Sequence, residues 1–350
     1  MPSVQVLLKS YLCDPMQAIE KALNRQLELT IMPTERCNLN CVYCPEEFHE
    51  GNMMQQDVIA SIKKFLEVRV PEIDRLKVSW FGGEPLLAYA TVVDLMGHIN
   101  HLISANPGVR MTSDISTNAT LLTKSRLVEL TALGVKHYQI SFDGDKEEHD
   151  KLRQKRGKTG TFDLIWKNLI GAHDSACDFS VMVRMHANSE NENSLRLLLK
   201  KLSHELGGDQ RFNIYIRKLA RWGSKNDNQL PILEDAGAVS RLRNAAKELG
   251  LLVREDEGEF VCYAAKPFAY VIRASGLVNK CTLYLKREEN SIGGLLRDGR
   301  MSLNPDLALM WSRGMLSGSK EELECPAINF PKLSLKASGM IRSDKLRVIN

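Results

Sequence analysis

Three thiols stand close together in Cys37-Asn38-Leu39-Asn40-Cys41-Val42-Tyr43-Cys44, a CxxxCxxC spacing just after an apolar run. Soft thiolate ligands select zinc, copper(I) or iron–sulfur clusters. Cysteines spaced this way can hold a cluster by three of its four irons, which leaves the fourth iron open to chemistry. Structural zinc instead takes four closed ligands, normally arriving as two pairs. His49 stands at a usable distance for a three-plus-one zinc site, but nothing further along the chain depends on one. An iron–sulfur centre is the preferred reading and zinc the alternative.

The elements that must position this loop are legible from periodicity. Short β-rich runs recur at 27–32, 76–81, 111–116, 137–142, 179–185 and 212–217. Helical stretches at 56–69, 88–105, 122–133, 161–175, 190–206 and 234–250 show apolar residues at three- and four-residue intervals. Strand followed by helix, repeated six times, is the pattern of a parallel sheet with crossover helices. Periodicity alone leaves an open doubly wound sheet and a partial barrel both standing.

Composition sets the limits. A chain of 350 residues has room for one large α/β domain and a smaller appendage. Hydrophobic content of 43% and charged content of 26% are those of an ordinary globular protein. The net charge of +4 is too small to argue for nucleic acid. The first ten residues lack a secretory core, and no apolar stretch long enough to span a bilayer is expected. A cytoplasmic location with no membrane and no nucleic-acid partner follows as the expectation. Eight cysteines suit a reducing compartment if most of them bind metal.

The second strand run ends in Trp80-Phe81-Gly82-Gly83-Glu84-Pro85-Leu86. With the cysteine loop and this GGEP turn in that order, the chain resembles the radical S-adenosylmethionine (SAM) enzymes. The resemblance implies a [4Fe-4S] cluster on Cys37, Cys41 and Cys44, with SAM on its open iron. It also implies an α/β fold, a partial (β/α)6 TIM-type barrel, whose function gathers at the C-terminal strand ends. Gly82, Gly83 and Glu84 are then expected to receive the SAM amino group, and Tyr43 to lie near the adenine. Ser116-Thr117-Asn118-Ala119-Thr120 and Ser141-Phe142-Asp143-Gly144 are similar to strand ends that bind the ribose or methionine of SAM, which nominates Ser116, Asn118, Ser141 and Asp143. Arg153 pairs with the SAM carboxylate or braces its loop against Asp143 or Asp150. Arg184 and Arg217 serve substrate or SAM if they point inward, and are merely solvated if outward. Thr161 is expected to cap the helix after Arg153, and residues 221–228 to line the open side of the barrel.

A second group of cysteines follows the barrel. Cys262, then Gly276 and Cys281 in a G-x-x-x-x-C spacing, then Cys325-Pro326, is similar to the opening of the SPASM or twitch extensions. Gly276 makes sense as the tip of a hairpin, 270–274 against 277–285, that brings two thiolates together; three unrelated buried cysteines are the alternative. One auxiliary [4Fe-4S] cluster on Cys262, Cys281 and Cys325 is the ceiling, because Ile328 stands where a further cysteine would be needed. Its fourth ligand is left open, with Cys13 and Cys177 remaining. Sulfatase-maturating relatives carry a basic aspartate immediately after the G-x-x-x-x-C cysteine. Thr282 stands there, which counts against formylglycine formation.

The expected domains are a lead-in at 1–26 with a helix around residues 15–23, the radical SAM barrel at 27–250, a SPASM/twitch-like auxiliary-cluster domain at 251–335, and a basic tail at 336–350. The family implies oxidation of a ribosomally made precursor peptide, by crosslinking, cyclisation or dehydrogenation. Dehydrogenation of a small sugar or aminocyclitol alcohol is the rival, and a zinc or cluster scaffold without turnover is the reading from another class. Residues 1–26 leave no room for a leader-binding domain, so a separate protein or another part of the chain would hold the leader. Flavodoxin or ferredoxin would supply electrons.

Overall fold

The computed structural model describes residues 25–45, 51–222, 224–255, 260–328, 330 and 347–349. The helix expected around 15–23, His49, Cys13 and most of the basic tail lie outside the described residues.

The strands are β1 (Gln26–Ile31), β2 (Leu39–Cys41), β3 (Arg75–Trp80), β4 (Arg110–Thr117), β5 (Val135–Ser141), β6 (Arg153–Lys155), β7 (Ser180–Ala187), β8 (Phe212–Lys218) and β9 (Leu252–Val253). Five more follow: β10 (Ala269–Ile272), β11 (Leu277–Asn279), β12 (Ser291–Leu295), β13 (Met301–Leu303) and β14 (Arg347–Ile349). Between them lie α1 (Gln56–Arg69), α2 (Tyr89–Ala105), α3 (Lys124–Ala132), α4 (Lys146–Leu152), α5 (Phe162–His173), α6 (Glu192–Leu206), α7 (Ala238–Glu248), α8 (Pro305–Ser317) and α9 (Lys320–Glu324). All six expected strand–helix units are present within a few residues of their expected bounds.

One sheet runs β14-β13-β12-β11-β10-β1-β3-β4-β5-β7-β8-β9. From β10 to β9 every neighbour pairs in parallel. The sheet stays open, with β14 and β9 at its edges. The expected hairpin forms, but shorter: β10 pairs with β11 only through Val271–Asn279 and Ile272–Val278. Its other edge pairs with β1, so the C-terminal strands continue the central sheet.

Parallel strands covered on both faces usually read as continuous apolar runs. Here they alternate. Leu27, Leu29 and Ile31, Leu76, Val78 and Trp80, and Val181, Val183 and Met185 are buried among helix residues such as Ile62, Leu66, Leu95, Leu195 and Leu199. Glu28 and Thr30, Lys77 and Ser79, Asp114 and Ser116, Gln139 and Arg184 occupy the opposite face and line a cavity. One face is therefore core and the other is a polar concavity.

Two expectations need correction. Pro85–Ala105 is a 21-residue segment long and apolar enough, by length and composition, to cross a membrane. It nevertheless packs Val92, Leu95, Met96 and Ile99 into the core, with Ser113 of β4 against the Met96 sulfur. Thr161 occupies the N-cap of α5 but makes no side-chain cap bond. Its hydroxyl donates instead to the Arg153 carbonyl at 2.7 Å. The capping acceptor is Asp150, whose Oδ1 takes the N–H groups of Thr161 and Phe162 at 2.7 and 2.9 Å.

Candidate active site

The cysteine loop is held from three sides. Cys41, in β2, pairs antiparallel with Arg153 in β6, and the Val42 N–H donates to the Leu152 carbonyl at 3.0 Å. Asn226, from the loop after β8, donates to the Val42 carbonyl at 2.9 Å. The Gly82-Gly83 turn supplies the third contact: Gly83 N–H donates to the Thr34 carbonyl at 3.3 Å and Glu84 N–H to the Arg36 carbonyl at 2.8 Å. Only glycine permits this approach. A Cβ on Gly82 would stand 2.2 Å from the Thr34 oxygen, at a φ of +126° that side chains rarely adopt, and one on Gly83 would stand 2.3 Å from the Arg36 oxygen.

Cys37, Cys41 and Cys44 thereby line one cavity of about 390 Å³ with Gly82, Gly83, Lys225, Asn226, Thr282 and Leu283. Burial pushes the Cys37 thiol up to about 12 and raises that of Cys41. A thiolate in such a place is stabilised chiefly by bonding to a cation. The Cys37 sulfur already accepts the Leu39 N–H at 3.4 Å, an arrangement that favours negative sulfur. Among the described residues no three His, Cys, Asp or Glu side chains converge on a single ion. Three thiols line one roomy cavity, where a multi-iron cluster could be accommodated.

The ends of β3 and β4 are locked together through Glu84. Its buried carboxylate accepts from Leu86 N–H at 2.9 Å, the Thr117 hydroxyl at 2.8 Å and Asn118 N–H at 2.7 Å. Asn118 in turn donates from Nδ2 to Asn38 at 2.8 Å, beside Cys37. The next residue, Ala119, is buried with φ +60°, so this strand end turns through backbone that non-glycine residues seldom adopt. Glu84 thus acts as a brace, with Gly82 and Gly83 forming the cavity wall.

A second network lies under Cys41. Arg153 Nη1 donates to the Tyr43 hydroxyl at 2.6 Å, and that hydroxyl donates to Asp143 Oδ2. His186 Nδ1 lies 2.8 Å from Asp143 Oδ1. Burial opposes ionisation of Asp143, but His186, Arg153 and Tyr43 outweigh it and hold the carboxyl well below the usual range. Of the two roles open to Arg153, bracing against Asp143 is the one this geometry supports. Ser141, the last residue of β5, is in register with Arg184 of β7.

The neighbouring His149 has its tautomer fixed by its partners. The Thr161 hydroxyl spends its proton on Arg153, so it must accept from His149 Nε2 at 3.2 Å, while Nδ1 faces the Asp143 N–H at 3.5 Å. A proton on Nδ1 would oppose that N–H, and burial pushes the imidazole down to about 4. The unfolded chain takes up this proton near 6.5. The contribution to stability is therefore complete above pH 6.5 and is lost as pH falls through 4, about 2 kcal/mol of it by pH 5. Urea unfolding of His149→Gln at pH 7 and pH 5 should lack that portion of the decline seen in the parent protein.

A second cavity, about 250 Å³, occupies the concave face of the sheet and is lined by Thr30, Ser79, Ser116, Gln139, Arg184 and Tyr263 among others. Phe81 and Thr282 line both cavities, so the two adjoin. The Tyr263 hydroxyl meets the Thr282 hydroxyl at 2.8 Å. Tyr263 follows Cys262 and Thr282 follows Cys281, which brings the C-terminal cysteine segments against the barrel interior.

Cys262, Cys281 and Cys325 lie near enough for their charges to interact. Burial raises the Cys281 thiol to about 11, and Cys262 and Cys325 add to the rise. Cys262 N–H donates to the Leu323 carbonyl at 2.8 Å, tying it to the segment that carries Cys325. As at Cys37, the sulfur of Cys281 accepts the N–H two residues on, from Leu283 at 3.4 Å. Buried Asn290 fixes Cys281: Oδ1 takes the Lys280 and Cys281 N–H groups at 3.0 and 2.8 Å, and Nδ2 donates to the Cys281 carbonyl at 2.7 Å. Sequence reasoning did not find Asn290 or His186. His186 shares the inward face with Arg184 at i+2, a signal that was available; Asn290 carries no local signal.

A family model described as "Radical SAM superfamily" matches residues 31–202. An uncharacterized protein of Methanocaldococcus jannaschii is 32% identical over 139 residues, 39% of this chain and 46% of its own length. The PqqA peptide cyclase of Bradyrhizobium diazoefficiens is 35% identical over 114 residues, 33% of this chain and 28% of its own. The chain thus spans less than half the length of these curated relatives. Among solved structures, native anSMEcpe with bound AdoMet and the Kp18Cys peptide superposes with a TM-score of 0.61 at 18% identity, over 81% of this chain and 80% of that one. Streptococcus suis SuiB bound to precursor peptide SuiA gives 0.54 at 16% identity, over 78% and 63%. At these identities the likeness to solved structures is one of fold.

Proposed function

We propose that this chain, which carries a radical SAM domain over residues 31–202, oxidises a ribosomally made peptide by hydrogen-atom abstraction. The observation that carries the reading is the adjacency of two cavities that share Phe81 and Thr282, one lined by three thiols and a glycine turn, the other polar and of side-chain size. Cys37, Cys41 and Cys44 would hold a [4Fe-4S] cluster, with SAM against Gly82 and Gly83. When bound, these groups would supply the one-electron chemistry needed to remove a hydrogen atom from an unactivated C–H bond. The chain's own part is to hold the target carbon within reach and keep water and other C–H bonds away. Phe81 and Thr282 stand at the passage where that selection would occur. Peptide is favoured as substrate because a peptide cyclase is among the curated relatives, and the structural neighbours include complexes with peptides.

Cys262, Cys281 and Cys325 would hold one auxiliary [4Fe-4S] cluster. Thr282, at the wall of both cavities, has no basic side chain near neutral pH, which argues against formylglycine formation.

Anaerobic incubation with SAM, dithionite and candidate precursor peptides tests the reading. It should yield 5′-deoxyadenosine and a peptide lighter by two hydrogens; absence of 5′-deoxyadenosine would refute it. Iron analysis tests the auxiliary site separately. Reconstituted protein should bind about eight irons, and Cys262→Ala about four, with SAM cleavage retained. Asn290→Ala should lose part of the same iron because Cys281 is no longer held. Undiminished iron in Cys262→Ala would rule out the auxiliary cluster.

A further inference from the structure

We propose that Arg184 anchors a carboxylate of the peptide substrate inside the 250 Å³ cavity, a reading that rests on the peptide oxidation proposed above. Arg184 lies on β7 and lines the cavity with Ser116 and Gln139 from the two preceding sheet strands. Its Nε is shut off from solvent and has no hydrogen-bond partner. A guanidinium is always charged, and leaving one of its buried N–H donors without a partner is costly. Such a group in a cavity wall is a receptor for an anion that arrives from outside.

The other charges lining this cavity, Glu28, Lys77 and Asp114, are already satisfied within the chain, and Arg217 on the neighbouring strand adds positive field at Arg184. Glu28 is paired with Lys266 at 2.6 Å. Asp114 takes the Ser79 hydroxyl at 2.8 Å and lies 3.4 Å from Lys77. Asp143, whose field reaches Arg184, has Oδ1 engaged by His186 and Oδ2 by Tyr43, with Arg153 Nη1 3.8 Å away. Buried Arg153 also has an unpartnered Nε, but its Nη1 reaches Tyr43 and lies 3.8 Å from Asp143, so that guanidinium already has an anion within the chain.

The planar fork of arginine matches a carboxylate with two parallel bonds. Two carboxylates could come to it, that of a peptide residue and that of the SAM methionine. The cavity favours the peptide. Arg184 belongs to the concave cavity, whereas Gly82 and Gly83 line the cavity of the three thiols. A volume of about 250 Å³ has room for an amino-acid side chain.

Anaerobically reconstituted holoenzyme is titrated with N-acetyl-glutamate amide and with its glutamine counterpart, followed by calorimetry, in the parent protein, Arg184→Gln and Arg184→Lys. The parent should bind the glutamate probe at least tenfold more tightly than the glutamine probe, with SAM present and absent. Arg184→Gln should erase the difference and Arg184→Lys should restore part of it. SAM affinity should change by less than tenfold in both variants. If Arg184→Gln weakens SAM tenfold and leaves the glutamate preference intact, the carboxylate is the cofactor's and the proposal is overturned. Equal binding of both probes by the parent protein overturns it as well. A parent enzyme that forms no 5′-deoxyadenosine instead fails the broader reading, so the two failures are distinguishable.

Discussion

Replacing Cys41 with alanine should abolish reductive cleavage of SAM while the fold survives. Cys41 sits where β2 pairs with β6, opposite Arg153, and its thiol lies between the cavity and the Arg153–Tyr43–Asp143 network. The backbone bonds that hold this ribbon, Val42 to Leu152 and Asn226 to Val42, do not use the thiol. Removing one sulfur atom would therefore cost the proposed cluster a ligand without removing a structural tie. With two thiolates left, 5′-deoxyadenosine formation should fall at least about a thousandfold, equivalent to about 4 kcal/mol of barrier. The far-ultraviolet circular dichroism should match the parent. Turnover within tenfold of the parent would show that the open iron does not sit on this loop, and the functional reading would fall with it.

Much of this arrangement could be read from residue order because its signals are local. The β-rich runs ending near Ile31, Trp80, Thr117, Ser141, Ala187 and Lys218 alternate with helices of clear period, and each strand end delivers its loop to the same rim. The lost features are those decided by residues far along the chain. β10 was legible as a hairpin arm, but nothing local encodes that its free edge would pair with β1. Thr161 has the right residue type for a cap, yet its hydroxyl is diverted to the Arg153 carbonyl, and Asp150 takes the first N–H groups of the helix instead. The alternation of Met182, Arg184 and His186 along β7 placed two polar side chains on one face. A pattern search tuned to apolar runs passes over that inner face.

Glu84 illustrates the difference between a motif and its physics, and it carries the second large expected effect. In GGEP the glutamate reads as part of the cofactor turn, but its oxygens are spent on Leu86, Thr117 and Asn118. Glu84→Ala would leave three buried donors without an acceptor and open a void between the ends of β3 and β4. The cost should be about 3–5 kcal/mol, the scale of breaking a buried charged network. The loss should propagate in one direction: Asn118 loosens from Asn38, the glycine turn loses its register on Thr34 and Arg36, and the thiol cavity widens. Iron content on reconstitution should fall together with the urea midpoint. Glu84→Gln separates shape from charge, because it keeps the volume and one acceptor oxygen but sets an NH2 group against a donor. It should lie between the alanine variant and the parent in both readouts. If Glu84→Ala unfolds at the parent's urea midpoint yet cannot bind SAM, the carboxylate acts on the cofactor directly and the bracing role assigned to it is wrong.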